Sequence, residues 1–248
     1  MTSVPLILAE EDIEGGGKER NEGIENDFMY NNNVHNANIN IRMGFLRKVY
    51  GLLSIQLMLT VTIAAVFMTS NSIKLYVQTN PWTMIVAFVM TMVFLITLLF
   101  KKNEHPTNLL LLSAFTIAEA YTVGVIVSMY ETSIVLEALF ITLTVVIGLT
   151  AYTFQSKRDY TFLGFGLFAG LWILLIGGVI QLFFHSTVLE MCLSIAGALI
   201  FCLFIIFDTH MIMKTLSPEE YIIATINLYL DIINLFLYIL RAIAISKS

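Results

Sequence analysis

Seven apolar runs of near-bilayer length constrain this chain more than any other feature. Six lie at about Val49 to Thr69, Trp82 to Phe100, Asn108 to Tyr130, Ser133 to Phe154, Phe162 to Phe184 and Thr187 to Asp208. A seventh, Tyr221 to Ile245, is interrupted by polar groups. Crossing a bilayer as a helix takes ~20 predominantly apolar residues. Inside lipid the backbone amides must bond within their own segment, so runs of this length are expected to be helices. The fold class that follows is an all-α integral membrane protein. The seventh run poses a question, because "INLYLDIINLFLYILRA" sets Asp231 between Asn227 and Asn234 in an apolar stretch. An aspartate at the centre of a spanning helix costs ~2.5 to 3.5 kcal/mol on insertion scales, so it should face protein or water.

Composition agrees: of 248 residues, 58% are hydrophobic and 12% charged, and the mean hydropathy is +0.83. The formal charge of −5 arises at the N-terminus, where residues 1 to 40 carry eight acids against Lys18 and Arg20. That segment also holds "GGG" at Gly15 to Gly17 and the Asn-rich "NNNVHNANIN". It has too little apolar surface to pack and is expected to be a disordered cytosolic tail, leaving 41–248 as the membrane domain. "VPLILA" is too short for a signal-peptide core, so the first spanning helix is expected to act as the membrane signal. Cys192 and Cys202, ten residues apart in one apolar run, read as small buried hydrophobes and not as a disulfide or metal pair.

Basic residues fix the expected orientation. Arg42, Arg47 and Lys48 precede the first helix, Lys101 and Lys102 follow the second, Lys157 and Arg158 the fourth, and Lys214 the sixth. The opposite loops hold Lys74 alone, which predicts a cytosolic N-terminus. Glu131, Glu137 and Glu190 then mark an acidic mouth on the non-cytosolic face. "SPEE", Ser217 to Glu220, has the spacing of a capping box and predicts a seventh helix starting at Pro218 on the cytosolic side. Asp231 would lie 13 residues in, about 20 Å along the helix. Arg241 and Lys247 at its end leave open whether the segment crosses fully or re-enters.

Asn227, Asp231, Asn234, Tyr238 and Arg241 are spaced 4, 3, 4 and 3, so they form one stripe that is expected to face inward. Interhelical hydrogen bonding alone would account for the asparagines and the tyrosine. The sixth helix offers Asp231 a partner. Glu190 and Asp208 lie 18 residues apart on one of its faces, about 27 Å, with Ser194, Gly197 and Ala198 on or near that face. Asp208 sits nearer the cytosolic end than Asp231, so the two meet only if the sixth helix continues past Lys214 or one helix tilts. Apposed there, the two carboxyls would share a proton or bind Ca²⁺. Glu119, between Thr116 and Thr122 in the third helix, reads as a pathway residue or as a hydrogen-bonded structural one. His210, beside Asp208 in "FDTH", is the one histidine near the pair.

Chemistry of other kinds is not encoded. Paired aspartates suggest an intramembrane protease, but the Gly-x-Gly-Asp motif is replaced by "IIFDTH" and "LYLDII", and HExxH is missing. No phosphate-binding glycine loop, nucleophile elbow or nucleic-acid footprint is present. The expectation is a protein that is not an enzyme, needs no cofactor and binds no nucleic acid.

The stretches "INIRMGFLRKVYGLLS", "GLTAYTFQSKRDY", "GALIFCLFIIFDTH" and "LSPEEYIIATINLYLDIINLFLYILR" resemble the Bax-inhibitor or lifeguard family, and within it the Golgi anti-apoptotic branch, over about residues 39 to 245. The resemblance implies six helices around a central seventh, an aspartate pair at Asp208 and Asp231 that senses pH, and a Ca²⁺ leak from internal stores that protects against apoptosis. Bacterial relatives place an arginine after the second helix as a latch on the pair. Here that place reads "LLFKKNEHP", so Lys101, Lys102 or Arg241 would have to serve, without the arginine fork in the case of lysine. The expected function is a proton-sensitive Ca²⁺ leak of the Golgi membrane, or of the endoplasmic reticulum membrane, with Ca²⁺ and H⁺ as permeant or bound ions. Asn227, Asn234, Glu119 and Glu190 would line its pathway. A Ca²⁺/H⁺ exchanger and a non-conducting adaptor for apoptosis regulators or Ca²⁺-release channels are the alternatives.

Overall fold

The computed structural model describes residues 39–247, so the expected tail over residues 1 to 40 lies almost wholly outside the described residues. The elements in chain order are α1 (Ile39–Thr69), α2 (Asn71–Thr79), α3 (Trp82–Lys101), α4 (Thr107–Val127), α5 (Thr132–Gln155), α6 (Leu163–Phe184), α7 (Thr187–Lys214), a 3₁₀ turn (Pro218–Glu220) and α8 (Tyr221–Lys247). Seven of these helices are long and apolar enough to cross a membrane, and among the described residues there is no strand. The chain is an all-α, multi-pass membrane protein.

Helix α8 runs through the middle. It packs most heavily on α7, then on α5 and α1, and touches α4; α3 leans on α4, and α6 on α7. Its centrality shows in its burial, which covers most of the helix from Tyr221 and Ile222 through Leu228 and Tyr229 to Leu235 and Leu240 and leaves a thinner-covered stripe through Asn227 and Asn234. An amphipathic helix buries one stripe, and one buried all round lies inside a bundle. The outer helices expose large apolar side chains instead, among them Phe100, Phe165 and Phe183. In water such a surface would aggregate; against acyl chains it is solvated.

The segment between the first two spans is not a bare loop. It forms α2, whose Val77 is buried in a small cluster with Phe67 and Val125. The capping box before α8 forms as its spacing indicates: Ser217 Oγ accepts from Glu219 N at 3.5 Å, and Glu220 Oε2 accepts from Ser217 N at 3.2 Å. The first turn it caps is 3₁₀, and the α-helical part begins at Tyr221. Replacing Ser217 with alanine should cost about 1 kcal/mol, as at other N-caps. Thermal unfolding of the detergent-purified variant should show a lower midpoint, and an unchanged one would mean that the cap carries no load.

Helix α8 is continuous over 27 residues, about 40 Å. Near its end Arg241 bonds Glu190 in the first turn of α7, and Lys247 pairs with Glu137 near the start of α5. Its C-terminus thus lies at the end of the bundle opposite its start. This is a full crossing of the bundle and not a hairpin.

Candidate functional site

Asp208 and Asp231 face each other across the α7–α8 interface, carboxyl within hydrogen-bonding reach of carboxyl. Both are buried, at 9% and 6% exposure, and Asp231 Oδ2 has no hydrogen-bond partner. Helix α7 stops at Lys214, so it does not continue past that residue to reach Asp231. Asp208 lies six residues, about 9 Å, before the end of α7, and Asp231 ten residues, about 15 Å, after the start of α8.

Two more residues of the α8 stripe, Tyr238 and Arg241, also meet α7. The Tyr238 ring stacks on Phe201 of α7, with centroids 5.7 Å apart at 25°, and lies over Gly197. Arg241 Nε donates to Glu190 Oε1 at 2.7 Å. Asn234 is half-buried, its Nδ2 donating to Leu230 O at 2.8 Å within its own helix. Asn227 corrects the expectation, because it is exposed. Periodicity puts it on the face of Asp231, but burial needs a neighbour at that level, and none covers it.

Two carboxyls this close can share a hydrogen bond only while they hold at least one proton between them, since a carboxylate cannot donate. When that proton leaves, two anions remain in a site with little water. The pair therefore passes from neutral through singly charged to doubly charged as protons leave, and each form sets a different force between α7 and α8. As a resident metal site it is poor. Ca²⁺ takes roughly 6 to 8 oxygens, and no group of three His, Cys, Asp or Glu side chains converges among the described residues. A proton, or a passing cation that keeps its water, fits this pair better.

The three cations expected near the pair are elsewhere. Lys101 binds Glu104 at 2.7 Å, Lys102 lies 3.6 Å from Glu220, and Arg241 is on Glu190. In this conformation none latches Asp208 or Asp231. Glu190 is likewise not a free acid at a mouth: it also meets Gln181 Nε2, at 3.5 Å. Because the Arg241–Glu190 pair is about a third exposed on both sides, solvent screens it. Glu190→Gln and Arg241→Gln should each destabilise the protein by about 1 kcal/mol or less, with little further loss in the double variant. Thermal unfolding of the three variants checks this, and additive losses would show that the two side chains act separately.

Glu119 stands on the other side of α8 from the aspartates. It lies near Tyr229, whose fully buried hydroxyl bonds Thr60 at 2.9 Å. One turn away Gln56 Nε2 donates to Thr116 Oγ1 at 2.7 Å. Sequence reading passed over Gln56, Thr60 and Tyr229, because isolated polar groups in apolar helices show no period that marks them. The one available signal was a glutamine inside a spanning run. His210 is buried and turned from the pair, edge-on to Tyr160 and 3.6 Å from Asp159 in the α5–α6 loop. There the Thr161 amide donates to Asp159 Oδ1 at 2.9 Å and holds that carboxyl below its usual range.

Comparison with known proteins gives a consistent picture. A family model described as "Inhibitor of apoptosis-promoting Bax1" matches residues 42–248. Mouse protein lifeguard 4 is 48% identical over 226 residues, covering 91% of this chain and 95% of the relative. The Golgi anti-apoptotic protein of vaccinia virus (strain Lister) is 44% identical over 225 residues, covering 91% and 95%. Bax inhibitor 1 of Schizosaccharomyces pombe is 41% identical over 209 residues, covering 84% and 79%.

Proposed function

Because the chain belongs to the Bax inhibitor family, with lifeguard and Golgi anti-apoptotic proteins among its relatives, we propose that it is a proton-sensitive Ca²⁺ leak of the Golgi membrane that suppresses apoptosis by lowering store Ca²⁺. The observation that carries this reading is the apposition of Asp208 and Asp231 deep in the α7–α8 interface. A buried pair of acids with no fixed counter-ion is costly in a membrane, and such groups mark ion and proton routes. Protonation neutralises the pair, while deprotonation makes it a cation-attracting, self-repelling element between two helices. Glu119, half-buried near the membrane midplane with no carboxylate partner, supplies a second acidic stop along the bundle. Nothing in this chemistry calls for catalysis.

The N-terminus is assigned to the cytosol from the eight basic loop residues on its side against Lys74. A protease-accessible N-terminal tag in sealed microsomes is the expected outcome, and a protected one reverses the assignment. The function is tested with purified protein in liposomes loaded with a Ca²⁺ indicator. A leak gives flux down the Ca²⁺ gradient that changes with pH and needs no proton gradient. Flux that is coupled to protons and saturable would make the protein an exchanger, and no flux at all would favour an adaptor for apoptosis regulators or Ca²⁺-release channels.

A further inference from the structure

A second site lies at the basic end of the bundle, where α1, the α3–α4 connection and the foot of α8 frame a half-open cavity of about 420 Å³. Its polar lining comprises Lys48, Lys102, Asn103, His105, Asn108 and Glu219. The Lys48 ammonium lies 3.3 Å from the centre of the Tyr221 ring, and among the described residues it has no carboxylate partner. Asn108 is 1% exposed. Its Nδ2 donates to Lys102 O at 2.9 Å and to Tyr221 Oη at 3.0 Å, which ties the connection to α8. Its Oδ1 is buried without a partner, and such an orphan acceptor costs free energy until a donor arrives.

These walls combine two ammonium groups, an imidazole and an amide donor with one open acceptor, the exposed Glu219 carboxylate. A fully ionised anion would suit the lysines and be repelled by the Glu219 carboxylate. A ligand that carries both phosphate and hydroxyl groups satisfies both sets. Depth agrees: Lys48 is 21 residues, about 32 Å, from the far end of α1, and Lys102 follows the 20 residues of α3, about 30 Å. Both therefore sit where the hydrocarbon ends and lipid headgroups begin. Basic pockets between spanning helices at this level take phosphoinositide-type headgroups.

We infer that this cavity binds a phosphorylated polyol of the inositol phosphate class, either as a lipid headgroup or as a soluble molecule. Lys48 and Lys102 hold the phosphate, and Glu219 accepts from ring hydroxyls. Lys102 is the point of contact with the rest of the protein. It lies 3.6 Å from Glu220 Oε1, and the other oxygen of that carboxylate accepts from Ser217 N in the capping box of α8. A phosphate that draws Lys102 away alters the support of the helix that carries Asp231. The lipid-borne form rests on the cytosolic assignment of this face, whereas binding itself rests on neither orientation nor flux.

The test is native mass spectrometry of the full chain in detergent, titrated with phosphatidylinositol monophosphate and, separately, with phosphatidylserine. The phosphoinositide should bind more tightly. Lys48→Gln and Lys102→Gln should each weaken it about fivefold, in line with the contribution of a lysine near anionic headgroups. Asn103→Asp, at an exposed position, adds a carboxylate to the cavity without removing a packed side chain, so it should weaken binding even if a lysine variant misfolds. Soluble inositol bisphosphate that binds as tightly as the phosphoinositide identifies a soluble ligand; much weaker binding of it, with the phosphoinositide still bound, identifies a lipid. Equal binding of phosphatidylserine, or phosphoinositide binding untouched by Asn103→Asp and the foldable lysine variants, would overturn the site and leave only a general basic belt.

Discussion

The pH dependence of Ca²⁺ flux through the reconstituted protein should disappear when Asp208 and Asp231 are both replaced by asparagine, the flux staying at the value the native protein shows at low pH. The sign follows from the chemistry of the pair. Asparagine cannot lose a proton, so it mimics the neutral form that carboxyls take in acid, and raising the pH no longer creates two facing anions. Each single substitution leaves one carboxyl beside an amide, which removes the shared proton and the mutual repulsion together. Asp208→Asn and Asp231→Asn should therefore each flatten or displace the pH profile, and the double variant should add little. Groups in contact couple by about 0.5 to 3 kcal/mol, whereas separated ones add to within about 0.5 kcal/mol. Folding of every variant is checked by thermal unfolding in detergent. Strict additivity, or a native pH profile in both single variants, would reduce the pair to a structural contact.

The largest effect on stability should come from one methyl group. A Cβ at Gly197 would fall inside the van der Waals envelope of Tyr238, with the ring Cγ only 2.7 Å away. That ring cannot swing aside freely, because its other contact is the stacked Phe201. Overpacking of this kind costs about 1 to 3 kcal/mol, so Gly197→Ala should lower the unfolding midpoint by roughly 2 to 12 °C for a chain of this size. The cost has a specific origin. Small residues let membrane helices approach closely, and without water between helices close packing supplies much of the adhesion. Tyr238→Ala leaves a void under α8, which the methyl of Gly197→Ala partly fills, so the double variant should be more stable than the two losses summed. An unaltered midpoint in Gly197→Ala, or simple addition in the double, would place the α7–α8 contact elsewhere.

What can be read from the chain alone is set by short-range chemistry and by the thickness of a bilayer. Apolar run length located the seven helices, because lipid forbids unpaired backbone over that distance. The capping box at Ser217 needs only four neighbouring residues, and it formed. The same local reasoning marked Asp231 as a group that must avoid lipid, and its burial beside α7 is consistent with that.

Partners across helices were decided only in three dimensions, since they depend on how each helix is rotated, tilted and offset against its neighbours. Periodicity put Asn227 and Asp231 on one face; only the position of α7 left the first exposed and the second buried. Arg241, read as a cation for the aspartates, lies about 15 Å along α8 from Asp231 and meets Glu190, 51 positions away in sequence. Lys101 and Lys102 found Glu104 and Glu220 for the same reason: a long flexible cation takes the nearest carboxylate that the fold brings within reach. The bond between Thr60 and Tyr229 joins residues 169 positions apart, and no spacing rule reaches so far. Hydropathy fixes which segments enter the membrane; the fit of their side chains fixes which polar groups meet there.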